Sequence, residues 1–496
     1  MPTGAWRICG RLTLAFSWLW GSALPADEFE LLNERREVRK LSGRLAGEGQ
    51  GALAIEKPDG SYELVGSGAI KSRKPEEAPA PIAPAQLARQ LEDEFGKDVC
   101  VTSIDAPYVV ALLLAAPLPK SQESRANAFC KKATRFFKTV ESVFEKYASD
   151  MGLPLEPPPH PLVVVIFETN DQFIKYFNEQ TGGTGLSGAN VLGFYSAASN
   201  RLVLRMAECD TFEVPLHEAI HQQVHNRGLL QRLAPVPVWF NEGIATGFEA
   251  NGEKVTGGPG KLNLRYARSA LAAKNVNWQE IITDDKAFRG DLLAGEAYAH
   301  AWAMHWLLMT KYKQSYATYV KKLGEKSVLA TETPESRRRE FESIFQKSID
   351  DLQKELPQAL EAALKKQKVI DRDQMRPGYV VANSNLASVE IKATSSPGGR
   401  LQVEGQLKNL STIRPMTFLV TLVTDSGQYT HWVLPNVPIY KTTPLVRQQP
   451  SMPIPGSGVI GSGSSFRFFI ESALPESPQA QQWEDGQLPI PALIRE

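Results

Sequence analysis

His217, Glu218 and His221 stand in the order H-E-x-x-H within Val214-Pro-Leu-His-Glu-Ala-Ile-His221. On a helix, side chains four residues apart lie one turn apart on one face, so both imidazoles can reach a single cation while the glutamate between them holds a water. Imidazole nitrogen suits zinc, and a hydrolytic zinc site needs a third protein ligand and one open position. Glu242, within Val238-Trp-Phe-Asn-Glu-Gly-Ile-Ala245, is the candidate third ligand. The chemistry expected of this set is hydrolysis: zinc acidifies a water, and Glu218 accepts its proton as general base.

Two short helices must bring these residues together. Pro237 suits the start of the second, and Asn226-Arg-Gly228 suits the end of the first, with Pro235 in the loop between. Packed antiparallel, the pair would return Glu242 to the histidines. His225 follows His221 by four residues and reads as a polar group lining the site or the helix end. A third histidine ligand of the metzincin kind needs H-E-x-x-H-x-x-G-x-x-H, which the chain lacks. Cys209 precedes His217 by eight residues; a thiolate ligand there is conceivable, but a buried small hydrophobe is the default reading.

The two motifs together resemble the gluzincin branch of zinc metallopeptidases, which joins H-E-x-x-H to a glutamate on the following helix, often as N-E-x-x-A. Asn241-Glu-Gly-Ile-Ala245 matches that second part. His217-Glu-Ala-Ile-His-Gln222 and Trp239-Phe-Asn-Glu-Gly-Ile-Ala245 also resemble a peptidase-MA-like domain of unknown function found in secreted bacterial proteins. The resemblance implies a zinc-dependent peptidase fold, with His217, His221 and Glu242 as metal ligands and Glu218 as general base. It implies no substrate.

Many gluzincins place an aspartate four residues after the ligand glutamate to orient a histidine, but here Thr246 stands there. Glu249 and Asp210 are the candidates for that outer carboxylate. The G-x-M-E-N segment of related aminopeptidases is absent, which argues against an amino-terminal exopeptidase. In families of this kind a tyrosine on a later helix can donate to the oxyanion. Tyr298 is the candidate, with His300 behind it; ordinary helix packing is the competing explanation.

Around this centre the 496 residues suffice for several domains. Lys+Arg and Asp+Glu both total 55, so no broad basic field invites nucleic acid or an anionic membrane. Residues 1–26 read as a cleavable secretory signal: Arg7 and Arg11, an apolar run from Leu12 to Trp20, then Ala23 or Ala26. A retained anchor is the alternative, but the run is short for a bilayer. The expected location is secreted or periplasmic, with no stable membrane span afterwards. Cys100, Cys130 and Cys209 then remain, enough for at most one intramolecular disulfide.

The expected fold is an α+β zincin-like peptidase domain, mainly helical with a small mixed sheet, flanked by a small N-terminal β unit and a C-terminal β-sandwich. The boundaries read as 27–73 for the β unit, with a hairpin around Pro58-Asp-Gly60, then a Pro-rich linker at 74–84, the peptidase domain at 85–368 and the sandwich at 369–496. Within the peptidase domain, 126–148 reads as a helix, 108–115 and 162–167 as buried strands, 182–188 as a mobile glycine-rich loop, and 336–364 as helical with one apolar stripe. Gly193–Ala198 and Arg201–Arg205 read as a hairpin whose edge could pair with an extended peptide, a plain sheet edge being the competing reading. The partner expected is a peptide or protein substrate. The alternative is a catalytically silent binding or surface-interaction protein on a peptidase scaffold.

Overall fold

The Pro58-Asp-Gly60 turn organises the first unit of the chain. The computed structural model describes residues 25–32, 37–77, 80–182, 191–209, 213–249, 257–273, 275–288, 294–366, 379–384, 386–395, 401–424, 427–453 and 466–491. Strands β1 (Pro25–Leu32), β2 (Val38–Gly49), β3 (Ala52–Glu56), β4 (Tyr62–Gly66) and β5 (Ile70–Glu77) form a sheet in the order β4-β3-β2-β1-β5. Gly60 takes φ +80° in the β3–β4 turn, a conformation that suits glycine. Phe29, Leu31, Leu53, Ile55 and Val65 make its small core. The Pro-rich stretch is shorter as a connector than its composition suggests: Lys74 and Pro75 still pair with β1, and Pro84 is already the first residue of α1.

The central region begins with α1 (Pro84–Phe95), β6 (Cys100–Asp105), β7 (Tyr108–Leu113), α2 (Lys120–Met151), β8 (Leu162–Phe167), α3 (Asn170–Thr181), β9 (Gly193–Ser196) and β10 (Arg201–Arg205). Its five-stranded sheet has the order β6-β7-β8-β10-β9. β7, β8 and β10 run parallel, and both outer strands run antiparallel to their neighbours, so the sheet is mixed and β9 is an edge. β7 and β8 are buried throughout, which is why they read as unbroken apolar runs. Leu87 and Leu91 of α1 and Phe173 and Phe177 of α3 pack with Val109, Val163 and Val165 on one side. The aromatics of α2, among them Phe137 and Phe144, join Tyr108, Val110 and Leu112 in the main core on the other.

Helices follow: α4 (Glu213–Asn226), α5 (Val238–Phe248), α6 (Leu264–Ala272), α7 (Trp278–Thr283), α8 (Ala294–Lys311), α9 (Lys313–Gly324), α10 (Pro334–Phe345) and α11 (Ile349–Lys366). The charged stretch 336–364 is therefore two helices, broken where Gln346 takes the left-handed region at φ +53°. Its apolar stripe is divided between them: Phe341 and Phe345 on α10, then Ile349 and Leu352 on α11.

The C-terminal region holds β11 (Tyr379–Ser384), β12 (Ala387–Ser395), β13 (Leu401–Asn409), β14 (Met416–Thr424), β15 (Gln428–Val437), β16 (Thr442–Gln448), β17 (Met452–Pro453), β18 (Phe466–Ala473) and α12 (Pro478–Glu484). Two four-stranded sheets, β11-β12-β13-β16 and β17-β15-β14-β18, contribute Val389, Ile391, Val403 and Leu407 and Phe418, Val420, Leu422 and Trp432 to one core. β16 escapes the sequence pattern because Pro444 interrupts it; as an edge strand it tolerates the proline. Arg414 joins this region to the central one through a buried ion pair with Glu168 at 2.8 Å and a hydrogen bond to the Ala116 carbonyl. Among the described residues Cys100 and Cys130 form no disulfide, and burial pushes both up to about 12. Among the described residues no helix is long and apolar enough to cross a membrane. The expected signal falls almost wholly on residues 1–24, outside the described ones, as do most of the glycine-rich loop and Asp210.

Candidate metal centre

α4 is pinned to the sheet before it presents any chemistry. Leu216, Ile220 and Val224 recur at helical spacing and are buried, while Gln222 Nε2 donates to the Val163 carbonyl at 2.9 Å and Gln223 Nε2 to the Tyr108 hydroxyl at 2.8 Å. Gly228, at φ +78°, ends the turn that follows.

α5 buries Trp239, Phe240, Ile244, Ala245 and Phe248 and so has almost no solvent face. Asp285 accepts from its first amide, Val238, at 3.0 Å, and Arg337 holds that carboxylate at 2.9 Å. A Cβ on Gly243 would lie 2.5 Å from His305 Cδ2 and 2.6 Å from the Ala301 carbonyl oxygen, so glycine is what lets α5 approach α8. His305 crosses that seam: its Nε2 donates to the Phe240 carbonyl at 3.0 Å and its Nδ1 accepts from Tyr316 at 2.7 Å.

These supports bring His217, His221 and Glu242 together, with donor atoms all within 4.8 Å of one another. Glu242 Oε2 lies 3.1 Å from His217 Nε2 and 3.7 Å from His221 Nε2. Tetrahedral zinc with bonds of about 2.0–2.2 Å spaces its donors roughly 3.3 Å apart; the two Glu242 contacts bracket that spacing, and a donor pair as wide as 4.8 Å would draw in around the ion. Tautomer chemistry strengthens the fit. Glu249 Oε1 lies 2.9 Å from His217 Nδ1 and can accept the imidazole proton there, which turns the Nε2 lone pair towards the Glu242 carboxylate. With Nδ1 as the donor, Nε2 and the carboxylate are two facing acceptors, which either a metal ion or a second proton on the imidazole reconciles.

Without a metal, the titration of these groups follows the imidazolium–carboxylate pairing. Burial opposes charge on His217, but hydrogen bonds to Glu242 and Glu249 outweigh it and hold its pKa well above the usual histidine value. Burial likewise opposes charge on Glu242, yet the adjacent His221 and His217 hold its carboxyl far below the carboxylate range. Glu218 goes the other way: burial raises its pKa against the pull of both histidines and the Tyr195 amide, with the Glu242 charge adding to the rise.

Glu218 is placed from the opposite side. Its Oε2 accepts from the Tyr195 amide of β9 at 2.8 Å. Gly193 permits that approach, since a Cβ there would meet Val214 Cγ1 at 2.8 Å. Tyr298 on α8 lies with its ring 6.4 Å from that of His217; burial and the nearby Glu242 and Glu218 carboxylates push its pKa up. His300 is not behind it in any chemical sense, because its Nδ1 accepts from Trp278 Nε1 at 2.9 Å in the core. His225 stacks on Tyr195 at 5.6 Å rather than joining the donors.

Glu249 and Asp210 are equal candidates for the outer carboxylate in the sequence, and what holds Glu249 is visible only in the fold. Glu249 Oε2 accepts from the Tyr266 hydroxyl at 2.5 Å and from Arg265 at 3.0 Å, both on α6. Asn263 caps α6 and also donates to the Glu249 carbonyl at 3.2 Å. The cap was readable as asparagine before Leu264-Arg-Tyr-Ala; its proximity to Glu249 was not.

Residues 214–330 match the model of a protein family described as a protein of unknown function (DUF1570). That match spans α4 to α9 and so contains both site helices and Tyr298. No curated protein matches the chain.

Proposed function

We propose that the chain is an exported zinc-dependent peptidase of the gluzincin type, on a zincin-like fold, acting on peptide or protein substrates. The observation that carries this reading is the convergence of His217, His221 and Glu242 beside Glu218, with His217 held through Nδ1 by Glu249. Zinc held by those three residues would supply Lewis acidity, making a water nucleophilic near neutral pH and polarising a carbonyl. Glu218 takes the proton of that water and passes it to the leaving amine. The Tyr195 amide fixes the carboxylate that does so. Tyr298 donates its hydroxyl proton in a hydrogen bond to the oxyanion as the carbonyl carbon becomes tetrahedral. Export rests on the signal-like character of residues 1–26.

The test is metal content of the purified chain beside His217→Ala, Glu242→Ala and Glu218→Gln variants, with hydrolysis of a mixed peptide library measured on each. About one zinc per wild-type chain, lost in the first two variants, is expected. Glu218→Gln should keep the metal and lose activity by a factor on the order of 10²–10⁴. No zinc in wild type after zinc is supplied and the excess removed refutes the metal reading. Glu218→Gln turning over at the wild-type rate removes Glu218 from the mechanism. Zinc without hydrolysis by wild type favours a binding protein on the same scaffold.

A further inference from the structure

A buried guanidinium must satisfy several N–H donors at once, so its partners show what it holds together. Arg232, its side chain 6% exposed, donates through Nη1 to the Gly60 carbonyl at 2.6 Å and the Ala197 carbonyl at 3.3 Å, and through Nη2 to Glu56 Oε1 at 2.7 Å. Its Cζ lies 3.9 Å from the centre of the Tyr62 ring. Glu56, Gly60 and Tyr62 belong to the N-terminal sheet, whereas Ala197 begins the turn that leaves β9. Beside this clamp the Tyr62 amide donates to the Ala198 carbonyl at 2.6 Å.

β9 has four residues and a strand neighbour on one side only. Short edge strands open readily by local unfolding. From the central region the turn is fixed by a reciprocal amide pair, Asn200 with Asn226 at 2.8 and 2.9 Å, and by the Tyr195 hydroxyl on Asn200 Oδ1 at 2.7 Å. The N-terminal sheet fixes its other flank. The strand so held carries the amide that meets Glu218.

We propose that Arg232 is a positioning residue for Glu218, and that the N-terminal β unit works as part of the site by bracing the β9 turn through it. The catalytic meaning of the brace rests on the reading of Glu218 as general base. Its physical content is a coupling between the Arg232 clamp and the order of residues 193–198.

Hydrogen exchange read by mass spectrometry on the full chain, without substrate, tests that coupling in Arg232→Met. Residues 193–198 should exchange at least about tenfold faster than in wild type, while β14 and zinc content stay unchanged. In the hydrolysis assay kcat should fall more than KM rises. Faster exchange confined to 52–66, with 193–198 at the wild-type rate, overturns the proposal, because the clamp would then serve only to attach the sheet. Should Arg232→Met fail to fold, Glu56→Gln removes the counter-ion alone; it should shift 193–198 in the same direction by less, and no shift overturns the proposal. Faster exchange at 193–198 in a chain that hydrolyses no peptide refutes the peptidase reading alone. Unchanged exchange in a chain that does hydrolyse refutes the role of Arg232 alone.

Discussion

Glu249 Oε1 lies 2.9 Å from His217 Nδ1, although Glu249 stands seven residues beyond Glu242 rather than four. Two helical turns return a side chain to the same face, so position 249 looks where position 242 looks. Position 246, one turn on, lies on nearly the same face, but Thr246 carries no carboxylate; it is fully buried and its hydroxyl bonds back to the Glu242 and Gly243 carbonyls. Glu249 is also the C-cap of α5, where the backbone turns extended and Tyr266 and Arg265 can reach its second oxygen.

Glu249→Ala should therefore weaken zinc binding by about 10–100-fold, the usual cost of removing the carboxylate behind a metal-bound histidine. Tyr266→Phe removes one donor to that carboxylate and should cost less. Competition against a chelator of known affinity measures both. Equal zinc affinity in wild type and Glu249→Ala would show that the His217 tautomer needs no help.

Tyr298→Phe separates catalysis from packing. The phenyl ring keeps the edge contact with Phe288 at 5.6 Å and loses only the hydroxyl near Glu242. If that hydroxyl serves the oxyanion, kcat should fall by roughly 10²–10³ with KM and zinc content little changed. Wild-type kcat in the variant would leave Tyr298 as a packing residue.

Much of this arrangement was legible because the physics is local. The i, i+4 spacing of His217 and His221, the proline before α5 and the glycine after α4 are short-range signals, and the burial of β7 and β8 shows as apolar runs. Glu242 is readable as a candidate third ligand only through its neighbours in sequence, and the structure places its carboxylate beside the two histidines. What stayed hidden depends on contacts between distant segments. The Tyr195 amide carries no side-chain signature, Arg232 looks like any loop arginine, and His300 resembles a site histidine until Trp278 is seen to occupy it. The break at Gln346 escaped because the apolar residues stay in phase across it.

Gly243→Ala tests the seam that carries Glu242. One methyl group must displace the His305 ring or the Ala301 carbonyl, which lie 2.5 and 2.6 Å from where it would sit. Backbone cannot yield cheaply, so a loss on the order of 1–3 kcal/mol is expected, seen as a lower Tm. Because Glu242 is the adjacent residue, zinc affinity should fall with it. A variant as stable as wild type would show that α5 can shift along α8 without strain.

Acid should loosen the N-terminal sheet at Glu56. Burial raises the pKa of this carboxyl, but the His160 hydrogen bond and the Arg44 charge outweigh burial and hold it at about 2 against an ordinary 4.5. A folded pKa below the unfolded one means that the unfolded chain takes up the proton first as pH falls. The stabilisation is complete above about pH 5 and is lost progressively down to about pH 2, and the shift corresponds to something on the order of 3 kcal/mol. Glu56→Gln carries no such charge. Exchange protection of residues 52–66 should therefore favour wild type over Glu56→Gln at pH 7, and the gap should close towards pH 3. A gap independent of pH would mean that Glu56 holds Arg232 and Arg44 by shape and hydrogen bonding rather than by its charge.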